Sequence, residues 1–159
     1  MNKKCFFTGH RDTPDAVKPL LEAAIEQHIT EYGVTEFYVG THGGFDSMAT
    51  SMLAGMKQKY PFIHNYVVLA YHPTLRRPAD LPTGFDCTIF PEDQETIPMR
   101  YAIPRLNRSM ITNVEYLIAY VWKITDGSYK LMEAAESRER QGHLNITNLA
   151  KLPSDVHPI

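Results

Sequence analysis

Phe37-Tyr38-Val39-Gly40-Thr41-His42-Gly43-Gly44-Phe45-Asp46 passes from a hydrophobic strand-like run, through a glycine-bearing break, into a helical pattern. Phe45, Met48, Ala49, Met52 and Met56 recur there on one helix face, which ends before Tyr60-Pro61. The device occurs twice more. Cys5-Phe6-Phe7-Thr8-Gly9-His10-Arg11 leads to a helix carrying Val17, Leu21, Ala24, Ile25, His28, Ile29 and Tyr32, with Gly33 as its stop. Leu117-Ile118-Ala119-Tyr120-Val121 reaches Asp126-Gly127-Ser128 after a short connection. In an open parallel sheet such breaks lie at the carboxyl ends of strands, where helix N-termini direct free N–H groups at a ligand. Three of them predict a pocket for a phosphate-bearing small molecule.

Outward from these breaks the alternation continues. Lys4 to Thr8, Thr35 to Val39 and Tyr66 to Ala70 read as strands, the last without polar interruption, as expected when both sheet faces are covered. Asp15 is a candidate cap for the first helix, with Pro19 in its first turn. Pro104 suits the first turn of a helix running to about Thr112. Tyr116 to Val121 is the next strand, Ser128 to Arg140 the last long helix, and Leu144 to Ile146 a final short strand. This pattern predicts an α/β domain with a mainly parallel sheet flanked by helices. A single domain is expected over residues 1–150, with a tail over 151–159. Pro73, Pro78, Pro82, Pro91 and Pro98 mark 71–100 as an excursion over the sheet edge, with room for a strand near Cys87-Thr88-Ile89-Phe90.

The 159 residues are 43% hydrophobic and 21% charged, within the globular range, and the formal net charge is −2. No global positive field draws in a polyanion, which argues against nucleic acid as a partner. Arg76-Arg77, near Tyr71 and His72, is the one short basic cluster that could begin a local groove. Cys5, in a strand-like run, reads as a buried free thiol. No signal peptide is visible, and no apolar stretch approaches the roughly 20 residues of a membrane span, so a soluble cytoplasmic protein is expected. The seven histidines have no His-x-x-x-His or Cys/His spacing, so no metal site is assigned.

Gly9 allows close backbone approach, Thr8 offers a hydroxyl, Arg11 a bidentate grip on phosphate, and His10 a group titrating near neutrality. Gly40, Gly43 and Gly44 do not form a dinucleotide fingerprint or a Walker loop, but they free backbone N–H groups to face a ligand. Asp46 would repel phosphate. It could bind ribose hydroxyls or an exocyclic amine, polarise a water, or simply favour the helix N-terminus. Arg105 and Arg108 share a helix face, with Asn107 beside them.

In this order the segments resemble the YpsA-like family of the SLOG superfamily, which also holds the Smf/DprA DNA-processing proteins and the Lonely-guy phosphoribohydrolases. The resemblance runs from Phe6-Phe7-Thr8-Gly9-His10-Arg11 to about Leu149. Gly33-Val34-Thr35-Glu36-Phe37, Gly44-Phe45-Asp46, Lys59-Tyr60-Pro61, Asn107-Arg108-Ser109-Met110 and Gly127-Ser128 carry it. It implies a Rossmann-like three-layer fold and a pocket for a nucleotide or nucleotide-derived ligand. The chain departs from the family at Thr41 and His42, where small residues are usual, at Leu106, where an arginine is common, and at Asp126, in place of a glycine. The phosphoribohydrolase pattern also places a glutamate at the position of Leu131. Two catalytic positions are thus apolar, and direct transfer of that activity fails.

The leading expectation is binding of a nucleotide or derivative, with a sensor role open and no assured catalysis. Ligand contacts are expected from Thr8, Gly9, His10, Arg11, Gly40, Gly43, Gly44, Asp46, Asn107, Arg108, Gly127 and Ser128. An N-glycosidase-like hydrolase with Asp46 as its acid/base is the alternative, and DprA-like binding of single-stranded DNA stands third. No cofactor is identified beyond the nucleotide-type ligand, and a homo-oligomer is compatible with the chain.

Overall fold

The computed structural model describes residues 2–73, 81–123 and 127–151. The strands are β1 (Lys3–Gly9), β2 (Val34–Val39), β3 (His64–Val68), β4 (Cys87–Ile89), β5 (Tyr116–Tyr120) and β6 (Asn145–Asn148). Between them run α1 (Lys18–Thr30), α2 (Gly44–Lys59), α3 (Met99–Asn113) and α4 (Gly127–Arg140). The sheet order is β4-β3-β2-β1-β5-β6, and every neighbouring pair is parallel. The mainly parallel sheet expected from the sequence is therefore wholly parallel. The architecture is a three-layer, Rossmann-like α/β fold.

The uninterrupted apolar runs follow from the two-residue period of a strand covered on both faces. Phe7, Ile118 and Tyr120 join Leu21 and Ile25 of α1 and Leu53 of α2 on one side. Their chain neighbours Phe6, Leu117 and Ala119 join Leu106 and Met110 of α3 and Leu131 and Met132 of α4 on the other. The chain builds outward from β1 to β4, then returns along α3 to add β5 and β6 on the opposite side of β1. The reversal of strand order beside β1 opens a crevice at the carboxyl ends of the strands, the usual ligand position in such sheets.

Two local expectations are corrected. Asp15 does not cap α1: it opens a single 3-10 turn, Asp15–Val17, without a side-chain cap bond, and α1 begins at Lys18 with Pro19 in its first turn. Pro104 lies inside α3 rather than at its start, and Pro98 precedes the helix. A proline ring has no N–H to give the carbonyl one turn back. The described part of 71–100 lies at the sheet edge, with a strand where one was expected. There β4 pairs with β3, and Phe85 is buried in the α1/α2 core. Gln94 sits in a second 3-10 turn and donates to the carbonyls of Ala70 (3.2 Å) and Ala102 (2.5 Å). Arg76, Arg77 and Asp126 lie outside the described residues.

Two buried polar side chains tie the frame together. Asn148 Oδ1 accepts from the Val121 N–H at 3.1 Å, and its Nδ2 donates to the Val121 carbonyl at 2.9 Å, adding a side-chain rung beyond the β5–β6 ladder. His28 donates from Nδ1 to the Ala24 carbonyl at 2.7 Å between the rings of Tyr32 and Tyr116, and burial holds its pKa below the usual imidazole value. Cys5 and Cys87 are free thiols, the first fully buried as expected. Among the described residues no helix is long and apolar enough to cross a membrane, and no cluster of three or more His, Cys, Asp or Glu could hold a metal ion.

Candidate functional site

A cavity of about 600 Å³ opens at the carboxyl end of β1. Its polar lining combines Thr8, Gly9 and Arg11 from the first loop with Gly40, His42 and Asp46 from the second. Asn107 and Arg108 of α3, and Gly127, Ser128 and Lys130 of α4, close the other sides. Phe7, Ile103, Pro104, Leu106 and Leu131 give it apolar walls. The size lies in the range of small-molecule sites.

The loops are locked to one another by specific bonds. Gly44 N–H, at the start of α2, donates to the Arg11 carbonyl at 2.8 Å. Ser128 Oγ donates to the Gly9 carbonyl at 3.2 Å, drawing the first turn of α4 against β1. Glycine is required for reasons that the local sequence does not show. A Cβ on Gly9 would lie 2.4 Å from the ring of Phe45, and one on Gly44 would lie 2.5 Å from the Arg11 oxygen. Gly43 has φ +104, and its Cβ would meet Arg11 Cα at 2.9 Å. Gly43 and Gly44 thus bring two loops into contact and do not line the cavity, a correction to their expected ligand contacts.

His10 is also corrected. It is buried, with Nε2 accepting from the N–H groups of Trp122 (2.9 Å) and Lys123 (3.1 Å), and its ring meets Tyr120 and Trp122 edge-on. Two backbone donors on Nε2 place the ring proton on Nδ1. This histidine clasps the segment leading from β5 toward α4 and lies off the cavity lining.

The electrostatics are split across the site. Arg11, Arg108 and Lys130 are exposed cations on the lining. Asp46 is the one acid on it among the described residues, and its Oδ2 accepts from the His42 backbone N–H at 2.9 Å. Burial pushes the Asp46 carboxyl up to about 7, against the opposing effect of that hydrogen bond. Burial, reinforced by the Arg11 charge, pushes the His42 imidazole down from its ordinary value. Gly40 is bare where a Cβ would lie 2.9 Å from Asp46 Oδ2, so the carboxylate reaches back over the end of β2.

No family model and no curated protein matches the chain. Among solved structures, it is similar to DNA processing protein A from Helicobacter pylori, a protein with a single-stranded DNA binding mode. The TM-score is 0.54 and the identity 11%, over 92% of this chain and 76% of that one. The likeness establishes a shared fold, and the neighbour is of the DNA-processing kind that the superfamily resemblance names. It also overturns the expectation against nucleic acid as a partner. A chain of this fold binds single-stranded DNA, and a net charge summed over the whole surface does not describe the charge at one edge of the sheet.

Of the expected ligand contacts, Thr8, Gly9, Arg11, Gly40, Asp46, Asn107, Arg108, Gly127 and Ser128 come together on one cavity, whereas His10, Gly43 and Gly44 support it from outside. His42 and Lys130 were missed as lining residues. Lys130 had a readable signal, since it lies three residues after Gly127 and so on the same helix face. Arg105 turns away from the lining to pair with Asp93 at 3.4 Å. Leu106 and Leu131, the apolar replacements noted in the sequence, both lie on the cavity wall.

Proposed function

We propose that this chain is a YpsA-like SLOG protein of the cytoplasm that binds a phosphorylated nucleotide or nucleotide derivative in the β1 cavity. The observation that carries this reading is the convergence of Arg11, Arg108 and Lys130 with the first turn of α4 around one cavity that also holds a carboxyl group. Guanidinium groups and helix N-termini favour phosphate. A carboxyl beside them takes hydrogen-bond donors, such as ribose hydroxyls or a base amine, and keeps phosphate at the cationic end. Two free cysteines fit a reducing compartment. Native mass spectrometry of freshly purified protein, searching for a co-purified nucleotide, tests the reading directly. In calorimetric titrations with nucleoside 5′-phosphates, Arg11→Ala should weaken binding by about 1.5–3 kcal/mol, the scale of a charged hydrogen bond, without unfolding the chain. Equal affinities in wild type and variant would remove Arg11 from the site.

A second reading, binding of single-stranded DNA, draws on two aromatic–cation pairs. Arg100 lies over the exposed ring of Tyr101 at 4.9 Å, and Lys123 over that of Trp122 at 5.2 Å. Both belong to segments at the carboxyl edge of the sheet. Arg100 precedes Pro104 and Asn107–Arg108 on one stripe of α3. Cations with stackable rings are the elements of a single-strand track. Anisotropy of a labelled oligonucleotide, with wild type and a Tyr101→Ala/Trp122→Ala double variant, separates the readings. Equal oligonucleotide affinity for both proteins would discard this one.

A further inference from the structure

The sheet ends at β6, which among the described residues has a neighbouring strand on one side only, β5. Beside it lies a second cavity, of about 420 Å³, that shares no lining residue with the β1 cavity. Gln27 of α1 lines it on one face of the sheet, and Met132, Glu136 and Glu139 of α4 on the other. Ile146, Thr147 and Asn148 of β6 lie between them. We propose that this groove docks an extended basic segment of a partner protein, which adds to β6 as a seventh strand.

The backbone of β6 sets the mode of docking. Successive N–H groups of a strand point to opposite edges. The Asn145 N–H donates to the Glu115 carbonyl at 3.0 Å, on the β5 side, so the Ile146 N–H points outward. There it donates to Glu139 Oε2 at 2.8 Å. A side-chain carboxylate thus stands where a further strand would place a carbonyl. Glu139 is exposed in the last turn of α4, free to swing aside when a carbonyl takes over that N–H. By the same alternation Asn148 is the next residue whose N–H points outward, and an edge of this kind is a template for an incoming strand.

Charge selects the partner. Alternate side chains of an added strand face α4 and α1. Those facing α4 meet Glu136 and Glu139 beside the apolar surface of Met132 and Ile146. A lysine or arginine suits this surface, because its stem covers apolar atoms while its head reaches a carboxylate. Lys151 is the one cation among the described lining residues, and it lies 4.0 Å from Glu136, so two acids face a single base. On the α1 side Gln27 donates to Glu31 at 3.2 Å and brings no positive charge. A second copy of the chain fits less well. Antiparallel pairing of two β6 strands sets both α4 helices on one face of the joined sheet, with Glu136 and Glu139 of each copy against those of the other.

Anisotropy of a fluorescein-labelled octapeptide of alternating lysine and valine tests the proposal, with an alternating lysine–proline peptide of equal charge as its control. Proline has no N–H to give to a strand edge. The lysine–valine peptide should bind at least about 10-fold more tightly than its control, and a Glu136→Gln/Glu139→Gln double variant should bind it about 10-fold more weakly than wild type. The glutamine at 139 keeps an acceptor for the Ile146 N–H. Hydrogen exchange at the Ile146 and Asn148 amides should slow as the peptide is added. Equal binding of the two peptides, unchanged affinity in the double variant, or no binding of either peptide overturns the proposal. A wild-type dimer in sedimentation, with exchange at Ile146 slowing as protein concentration rises, would assign the edge to a second copy and overturn it as well. None of these outcomes bears on the nucleotide reading of the β1 cavity.

Discussion

Alanine at Gly44 and alanine at Gly55, in the same helix, should change stability in opposite directions. At Gly44 the new Cβ would lie 2.5 Å from the Arg11 carbonyl oxygen, the atom that accepts the Gly44 N–H at 2.8 Å. Relieving that contact moves one loop off the other, at about 1–3 kcal/mol for overpacking. It also stretches the hydrogen bond, worth about 1 kcal/mol net. Alanine's helix preference returns at most about 1 kcal/mol, and less at the first position of a helix than in its middle. The net expectation is a loss of about 1–3 kcal/mol. At Gly55, exposed and with nothing within 4 Å of the new Cβ, only the helix preference remains, a gain of about 0.5–1 kcal/mol. Urea unfolding followed by circular dichroism reads both, and thermal midpoints should move by about 2–4 °C per kcal/mol for a chain of this size. If Gly44→Ala unfolds at or above the wild-type midpoint, the close approach of the two loops is not what requires glycine there.

His10→Ala leaves the N–H groups of Trp122 and Lys123 without their acceptor and should cost about 1–3 kcal/mol in the same assay. An unchanged midpoint would mean that water replaces the ring without loss. For His28, burial lowers the folded pKa below 6.5, so the unfolded chain binds more protons between the two values. Stability from this group is full above pH 6.5 and is lost as the pH falls toward the folded pKa. His28→Leu should flatten that acid-side decline relative to wild type, and parallel profiles would exclude the imidazole as its source. Asp46 acts with the opposite sign: its raised pKa makes the folded state hold a proton, so its contribution falls as the pH rises from 3.8 toward about 7. Asp46→Asn should therefore gain stability relative to wild type as the pH rises from 4 to 7, and a constant difference across that range would refute the shift.

The fold was legible because its strands are apolar on both faces and its helices on one. Phe6-Phe7 and Leu117-Ile118 read as strand without any knowledge of partners, and Leu21, Ile25 and Ile29 fixed the face of α1. The start of α3 was not legible, because a proline suits a helix start better than a helix interior and the sequence offered Pro104 as well as Pro98. At the site the glycines were visible, but their reasons were not. Gly9 answers to Phe45, and Gly43 and Gly44 answer to Arg11, contacts made only when β1 and β2 lie side by side. His10 is bonded to residues 112 and 113 positions away, a pairing that no local motif reveals.

The strand order has a consequence for synthesis. β1 is made before the other strands of this sheet, yet it is hydrogen-bonded to β2 on one side and to β5, which begins at Tyr116, on the other. A ribosome that has delivered the chain through α3 has supplied β2, β3 and β4, but β1 still presents one open edge. Along that edge lie Cys5, Phe6 and Phe7, all buried once β5 arrives. Such an edge is a template for pairing with another chain. The interval between the emergence of β1 and of β5 is therefore when this edge is open to mispairing, and slow codons before Tyr116 would lengthen it.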